Sequence, residues 1–170
     1  MVINMGNRLE KLLKENKARL AKKQLVEDLM KYHEIDISEK EFVEFSISKE
    51  AHKKIYERIR TDNIKTLTFP YDEEKLKSEI DFMFDYFKNY KDKKVLFFPS
   101  TFGFYFRNSN QLYLEYPIAI TLPLLECKQV IMKLMLEMHD DLIVTSEEHN
   151  FGFVLSEDEY SNVNIEYWDK

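Results

Sequence analysis

Between residues 7 and 32 the chain is rich in Leu, Lys, Glu and Ala and holds neither Gly nor Pro, a composition that predicts a helix. Its apolar positions do not form one stripe. At about 100° per residue, Leu9, Leu12, Leu13 and Leu20 share one side, whereas Leu25, Val26 and Leu29 project from roughly the opposite side, with Lys22, Lys23 and Gln24 between. Such a helix bends, breaks or contacts two different surfaces. A second helix is predicted over residues 48–61, with Ser48 as N-cap and Ala51, Ile55 and Ile59 on one face. A third is predicted over 72–90. Its first turn, Asp72, Glu73 and Glu74, suits the positive end of the helix dipole, and its stripe is Leu76, Ile80, Met83, Phe84 and Phe87.

After Lys94 the pattern changes to short aromatic and β-branched runs separated by turn residues. Strands are predicted at 95–99, 102–106 and 112–116. A fourth helix follows over about 123–138, with Pro123 tolerated in its first turn and Glu126, Gln129, Lys133 and Glu137 forming one narrow polar edge. Most of its circumference is expected to be buried. Three further strands are predicted at 142–145, 151–155 and 163–167. Phe102-Gly103-Phe104 and Phe151-Gly152-Phe153 open two similar hairpins, a likeness that ordinary strand alternation in an aromatic-rich chain accounts for. The class this order implies is α+β: N-terminal helices, then a mainly antiparallel sheet of short strands with one buried helix between two strand runs.

Length bounds the chain to one domain, 1–170, able to bury roughly 70% of its unfolded surface. The composition, 44% hydrophobic and 14% aromatic with three Gly and four Pro, is that of a folded core rather than of disorder. No apolar run approaches the roughly 20 residues of a spanning helix, and the N-terminus lacks a basic segment followed by an apolar core. A soluble, unexported protein without a membrane partner is expected. The lone Cys127 lies on an apolar helical face, which suits a packing role in a reducing compartment and points to the cytoplasm.

Charge adds a polarity that the net value of −6 conceals. Residues 1–94 carry 21 bases against 19 acids, and residues 95–170 carry 4 bases against 12 acids. Residues 134–169 hold ten carboxylates and neither Lys nor Arg. Mixed-sign surfaces are the usual solution, and a one-sign surface attracts cationic partners. Within the acidic half, Glu147, Glu148, Glu157, Asp158 and Glu159 are the candidate steering charges, with Tyr160 and Trp168 as candidate anchors.

Competing chemistries find little support. The chain has no Gly-rich phosphate loop, no G-x-S-x-G, no H-E-x-x-H and no paired Cys, so no cofactor is expected. His139-Asp140-Asp141 and Glu147-Glu148-His149 carry metal-ligand types, but the intervening strand of about five residues holds them some 15 Å apart. They read better as two solvated loop ends. His33 and His52 are expected on exposed helix surfaces. Glu157, Asp158 and Glu159 could perturb one another as acid and base, yet no nucleophile or oxyanion donor completes a site, so a non-enzyme is expected. Residues 1–33 carry eight bases against four acids, but the bases alternate with acids at i, i+4 as in Glu10 and Lys14, and residues 8–31 hold no aromatic for stacking on nucleic acid.

The segments Asp140-Asp141-Leu142-Ile143-Val144-Thr145-Ser146-Glu147 and Phe151-Gly152-Phe153-Val154-Leu155-Ser156-Glu157-Asp158-Glu159-Tyr160 together give an acidic lead, an apolar strand, then an aromatic strand ending in an acidic turn. In this pattern the chain resembles the small acidic cytoplasmic immunity proteins encoded beside polymorphic toxins of Gram-positive bacteria, including those of LXG-type toxins. The resemblance implies a stoichiometric inhibitor that occludes a basic toxin domain, with a nuclease as the target class suggested by charge, and brings no catalytic residues. The Lys-rich first helix is no part of that pattern. It supports an alternative, a non-enzymatic adaptor or a homo-oligomer formed through the N-terminal helix.

Overall fold

The computed structural model of the chain describes residues 2–61, 63–99, 115–137, 141–158 and 160–169. Its elements run α1 (Val2–His33), β1 (Glu41–Phe42), α2 (Phe45–Arg58), β2 (Lys65–Pro70), α3 (Glu73–Tyr86), a 3-10 turn (Lys88–Tyr90), β3 (Lys94–Phe98), β4 (Ile120–Pro123), α4 (Leu124–Glu137), β5 (Leu142–Ser146), β6 (Phe151–Glu157) and β7 (Asn162–Asp169). Among the described residues the strands form one seven-stranded sheet in the order β1-β4-β3-β5-β6-β7-β2, every neighbouring pair antiparallel. The fold is therefore α+β, as the hydrophobic pattern predicts. Among the described residues no helix is long and apolar enough to cross a membrane.

Period-2 alternation assigns the two faces of the sheet. Val95, Phe97, Leu142, Val144, Phe151, Phe153, Leu155, Val163 and Ile165 belong to the larger core, under α1, α3 and α4. Leu96, Phe98, Ile143, Val154 and Trp168 point the other way and join Ala51 and Ile55 of α2. Because both faces are covered, β3 after Lys94 and all of β5 are buried at consecutive positions rather than alternate ones. Trp168 crosses β6 above Gly152: a Cβ built on Gly152 would lie 2.8 Å from Trp168 Cζ2 and 2.4 Å from the Val144 carbonyl oxygen. Glycine is required there for space.

Helix α1 uses only its second half to dock. Ala18, Ala21, Leu25 and Leu29 are buried, while residues 6–17 are exposed on every side. Its end is a left-handed cap. Glu34 has φ 55, its N–H donates to the Met30 carbonyl, and the Ile35 N–H reaches back to Leu29 at 3.1 Å, with Ile35 packed against the core. Asp72 caps α3 by accepting the Lys75 N–H at 3.1 Å, in keeping with the acidic first turn.

Several elements differ from the sequence expectation. Helix α2 begins at Phe45, so Ser48 is not a cap but a buried residue inside the helix. Helix α3 ends at Tyr86 and the chain continues as a 3-10 turn. Strands β1, β2 and β4 are additions to the expected set. The strands expected at 102–106 and 112–114, with the Phe102-Gly103-Phe104 hairpin, lie outside the described residues, and Glu115 is helical rather than extended. Of α4, Leu124, Cys127, Ile131 and Leu134 are buried, but Leu125 is exposed beside Glu126.

Candidate protein-binding surface

The β6 strand separates the predicted acidic residues into two groups. Glu147 and Glu148 sit in the turn entering β6, and Glu157 and Asp158 sit at its exit. Seven residues of strand place these turns roughly 23 Å apart. They cannot form one contiguous patch. Glu159 lies outside the described residues.

At the entrance turn, folding brings lysines into one cleft with the acidic stretch. Glu147, Glu148 and Asp169 share a cleft of about 570 Å³ with Lys93, Lys94, Tyr90 and Asn150. Glu148 accepts from the Asn150 side-chain amide at 3.1 Å, and Asp169 accepts from the Tyr90 hydroxyl at 3.1 Å. His149 takes a left-handed backbone (φ 64), and its carbonyl oxygen accepts the Trp168 indole N–H at 3.1 Å. Burial, then the nearby Lys54 ammonium, lower the His149 pKa. Trp168, expected as an interface anchor, is 1% exposed. Its indole fills the α2 side of the core, so it supports the turn from within and cannot present a surface.

At the exit turn, further carboxylates arrive from the start of α3, one of them paired with a lysine. The Asp158 carboxylate accepts the backbone N–H groups of Tyr160 at 2.9 Å and Asn162 at 3.0 Å. Its pKa is lowered chiefly by the Asn162 N–H. Backbone bonds from Asp158 to Asn162 and from Ser161 back to Asp158 close the loop, with Ser161 at φ 62. This clamp leaves Tyr160 77% exposed. Strand β2 then pairs along β7, bringing Pro70 opposite Asn162, and the Tyr71 N–H donates to the Ser161 carbonyl at 2.7 Å. The start of α3 is thereby fastened beside the turn. Burial raises the Tyr71 hydroxyl pKa first, and the carboxylates of Glu73, Glu157 and Asp72 raise it further. Asp72, Glu73 and Glu157 thus gather around Tyr71, beside the turn that holds Asp158 and Tyr160. A half-buried Lys77 bonds Glu73 at 3.1 Å.

Tyr71, Asp72 and Glu73 are site residues that sequence reasoning does not reach. Their acids are legible as a helix first turn, but they lie in the half of the chain whose charges nearly balance, and only the β2–β7 register brings them to the acidic turn.

A third acidic group lies on the α2 face. Burial pushes the Asp141 carboxyl up to about 6, a Tyr56 hydrogen bond opposes the rise, and Glu166 adds to it. Burial also raises Glu166. Neither histidine sits on an exposed surface as expected. His33 is buried, and His52 packs against Tyr56 and Phe98 with ring centroids at 4.8 and 5.5 Å. Burial lowers the His52 pKa to about 4. Residues 139 and 140 lie outside the described ones, and among the described residues no group of three or more His, Cys, Asp or Glu could hold a metal ion. The chemistry the exit-turn arrangement can perform is recognition: carboxylates for Arg or Lys donors around two tyrosines.

No protein-family model, no curated protein and no solved structure matches this chain.

Proposed function

We propose that this chain is an inhibitor of the immunity type, which binds a basic toxin domain in one-to-one stoichiometry and blocks it by occlusion. The observation that carries the proposal is the group of Asp72, Glu73 and Glu157 around Tyr71, fastened beside the turn that holds Asp158 and the 77% exposed Tyr160. Carboxylates preset on a turn and a helix start steer a cationic partner and set its register, and an exposed tyrosine provides contact area at low entropic cost. A nuclease is the proposed target class, because a surface that holds phosphate also attracts carboxylates. The cytoplasm is the proposed compartment, in keeping with a single, buried cysteine. The proposed interface differs from the sequence expectation: Glu157, Asp158 and Tyr160 stay in it, Tyr71, Asp72 and Glu73 join it, and Glu147, Glu148 and Trp168 leave it.

The test is capture of a partner by the purified chain from a lysate of its own source, washed at low and then high salt. The expected result is an equimolar basic domain released by salt. The variant Glu73→Lys/Glu157→Lys/Tyr160→Ala leaves the clamp of Asp158 and the cap of Asp72 in place and should slow association on the order of tenfold or more. Glu147→Lys/Glu148→Lys should bind as the parent does. Equal capture by the first variant, or a loss confined to the second, would remove the exit turn as the interface.

A further inference from the structure

Two apolar stripes run along opposite sides of α1, and the domain uses one of them. Ala18, Ala21, Leu25 and Leu29 are at most 8% exposed, whereas Leu9, Leu12, Leu13 and Leu20 are 59, 48, 52 and 53% exposed. Single exposed leucines are ordinary, but four along one side of a standing helix mark a contact surface. A helical stretch as short as residues 6–17 is marginal in water without a packed face. On its inner side it overlooks an open groove of about 440 Å³, lined by Asn7, Glu10, Lys11, Lys14 and Phe45 among others. The groove lies on the side of α1 away from the leucine stripe, which no described residue covers.

We infer that the exposed stripe of α1 pairs antiparallel with α1 of a second copy of this chain, about a two-fold axis between Lys14 and Glu15. Leu9, Leu13, Asn16 and Leu20 follow the 4-3-4 spacing of a coiled-coil seam. In this register Leu9 meets Leu20 of the second copy and Leu13 meets its Asn16, so the layers close symmetrically. Charge selects the orientation. In the antiparallel pair the residues flanking the seam bring Glu10 beside Lys17 of the second copy, and symmetry makes that contact twice. Parallel pairing instead sets Leu12 against Lys17 and Arg19 against Gln24, with no opposite charges facing. Within one chain Glu10 lies 3.8 Å from Lys14, with both side chains more than half exposed, so little is lost when Glu10 turns to the partner. The Arg19 stem covers Leu12 in the antiparallel arrangement. None of this depends on the inhibitor reading.

The test is sedimentation equilibrium of the full chain over a wide concentration range. A monomer–dimer equilibrium is expected. Leu13→Asp/Leu20→Asp should sediment as a monomer with an unchanged far-UV spectrum, because both positions are solvent-facing in the single chain. Glu10→Lys alone and Lys17→Glu alone should each raise Kd on the order of tenfold, and the double exchange Glu10→Lys/Lys17→Glu should restore it. Under oxidation a mixture of Leu9→Cys and Leu20→Cys chains should cross-link, while Leu20→Cys alone should not; Cys127 is buried and does not compete. A chain that stays monomeric, a leucine variant that still dimerises, a double exchange that fails to recover, or efficient cross-linking of Leu20→Cys alone would each overturn the pairing.

Discussion

Gly152 shows how closely β6 is packed between its neighbours. A methyl group there would stand 2.4 Å from the Val144 carbonyl oxygen, a backbone atom in a central strand, and 2.8 Å from the Trp168 ring. Neither can yield without shifting the sheet. Gly152→Ala should therefore cost at least ~1–3 kcal/mol in unfolding free energy, read as a lower denaturant midpoint at unchanged slope. Two titrating residues on the α2 face act in opposite directions. Asp141, raised from 3.8 to about 6, stabilises the fold relative to neutral pH only while it is protonated in both states. As pH rises from about 4 to 6 the unfolded chain ionises first, and on the order of 3 kcal/mol is lost. His52, lowered from 6.5 to about 4, does the reverse: the fold holds it neutral, and stability falls as pH drops from about 6.5 toward 4. In the parent chain the two slopes offset one another. Asp141→Asn should leave stability that climbs with pH across this window, and His52→Leu stability that declines with it, both measurable by denaturant titration at stepped pH. Such residues are hard to read from sequence, since nothing in His52 or its neighbours distinguishes a packed imidazole from a solvated one before α2 is laid on the sheet.

At the scale of elements, α1 is the most legible part of the chain, because helical period is a local property. The two opposed stripes follow from residue spacing alone, and the structure decides which one docks. Deleting residues 1–17 removes side chains that are exposed wherever their burial is described, so the shortened chain should melt within a few degrees of the parent while losing self-association. Deletion through residue 29 removes Leu25 and Leu29, both 0% exposed, and should cost several kcal/mol. Strand β2 carries a faint signal, the alternation Lys65-Thr66-Leu67-Thr68-Phe69. Only two apolar residues mark it, since it is an edge strand with one buried face. Strand β1, with two residues, offers no period at all. Helix α2 begins before its apparent cap because the Ser48 side chain turns into the core, 1% exposed, while Glu44 takes the N-cap position. A capping residue type predicts a cap only where its side chain is free to face the helix end.

Across the whole molecule the governing question is where the charges meet. Along the chain, residues 134–169 form one acidic stretch; in space it divides at the two ends of β6. At one end Lys93 and Lys94 enter the cleft beside Glu147, Glu148 and Asp169, and at the other Asp72 and Glu73 arrive beside Glu157 and Asp158. The contrast between Glu73→Lys/Glu157→Lys/Tyr160→Ala and Glu147→Lys/Glu148→Lys belongs to this scale, since it compares two ends of one strand with the same sequence chemistry. By itself the sequence determined the helices, the C-terminal strands, the α+β class and the excess of acid, all of which depend on neighbours within a turn or two of backbone. The tertiary structure alone decided that Trp168 is core, that Tyr71 flanks the acidic turn, and which acids come together beside it. The physical reason is that Coulomb interactions and burial depend on distances of a few ångströms between groups far apart in the chain, and strand register sets those distances.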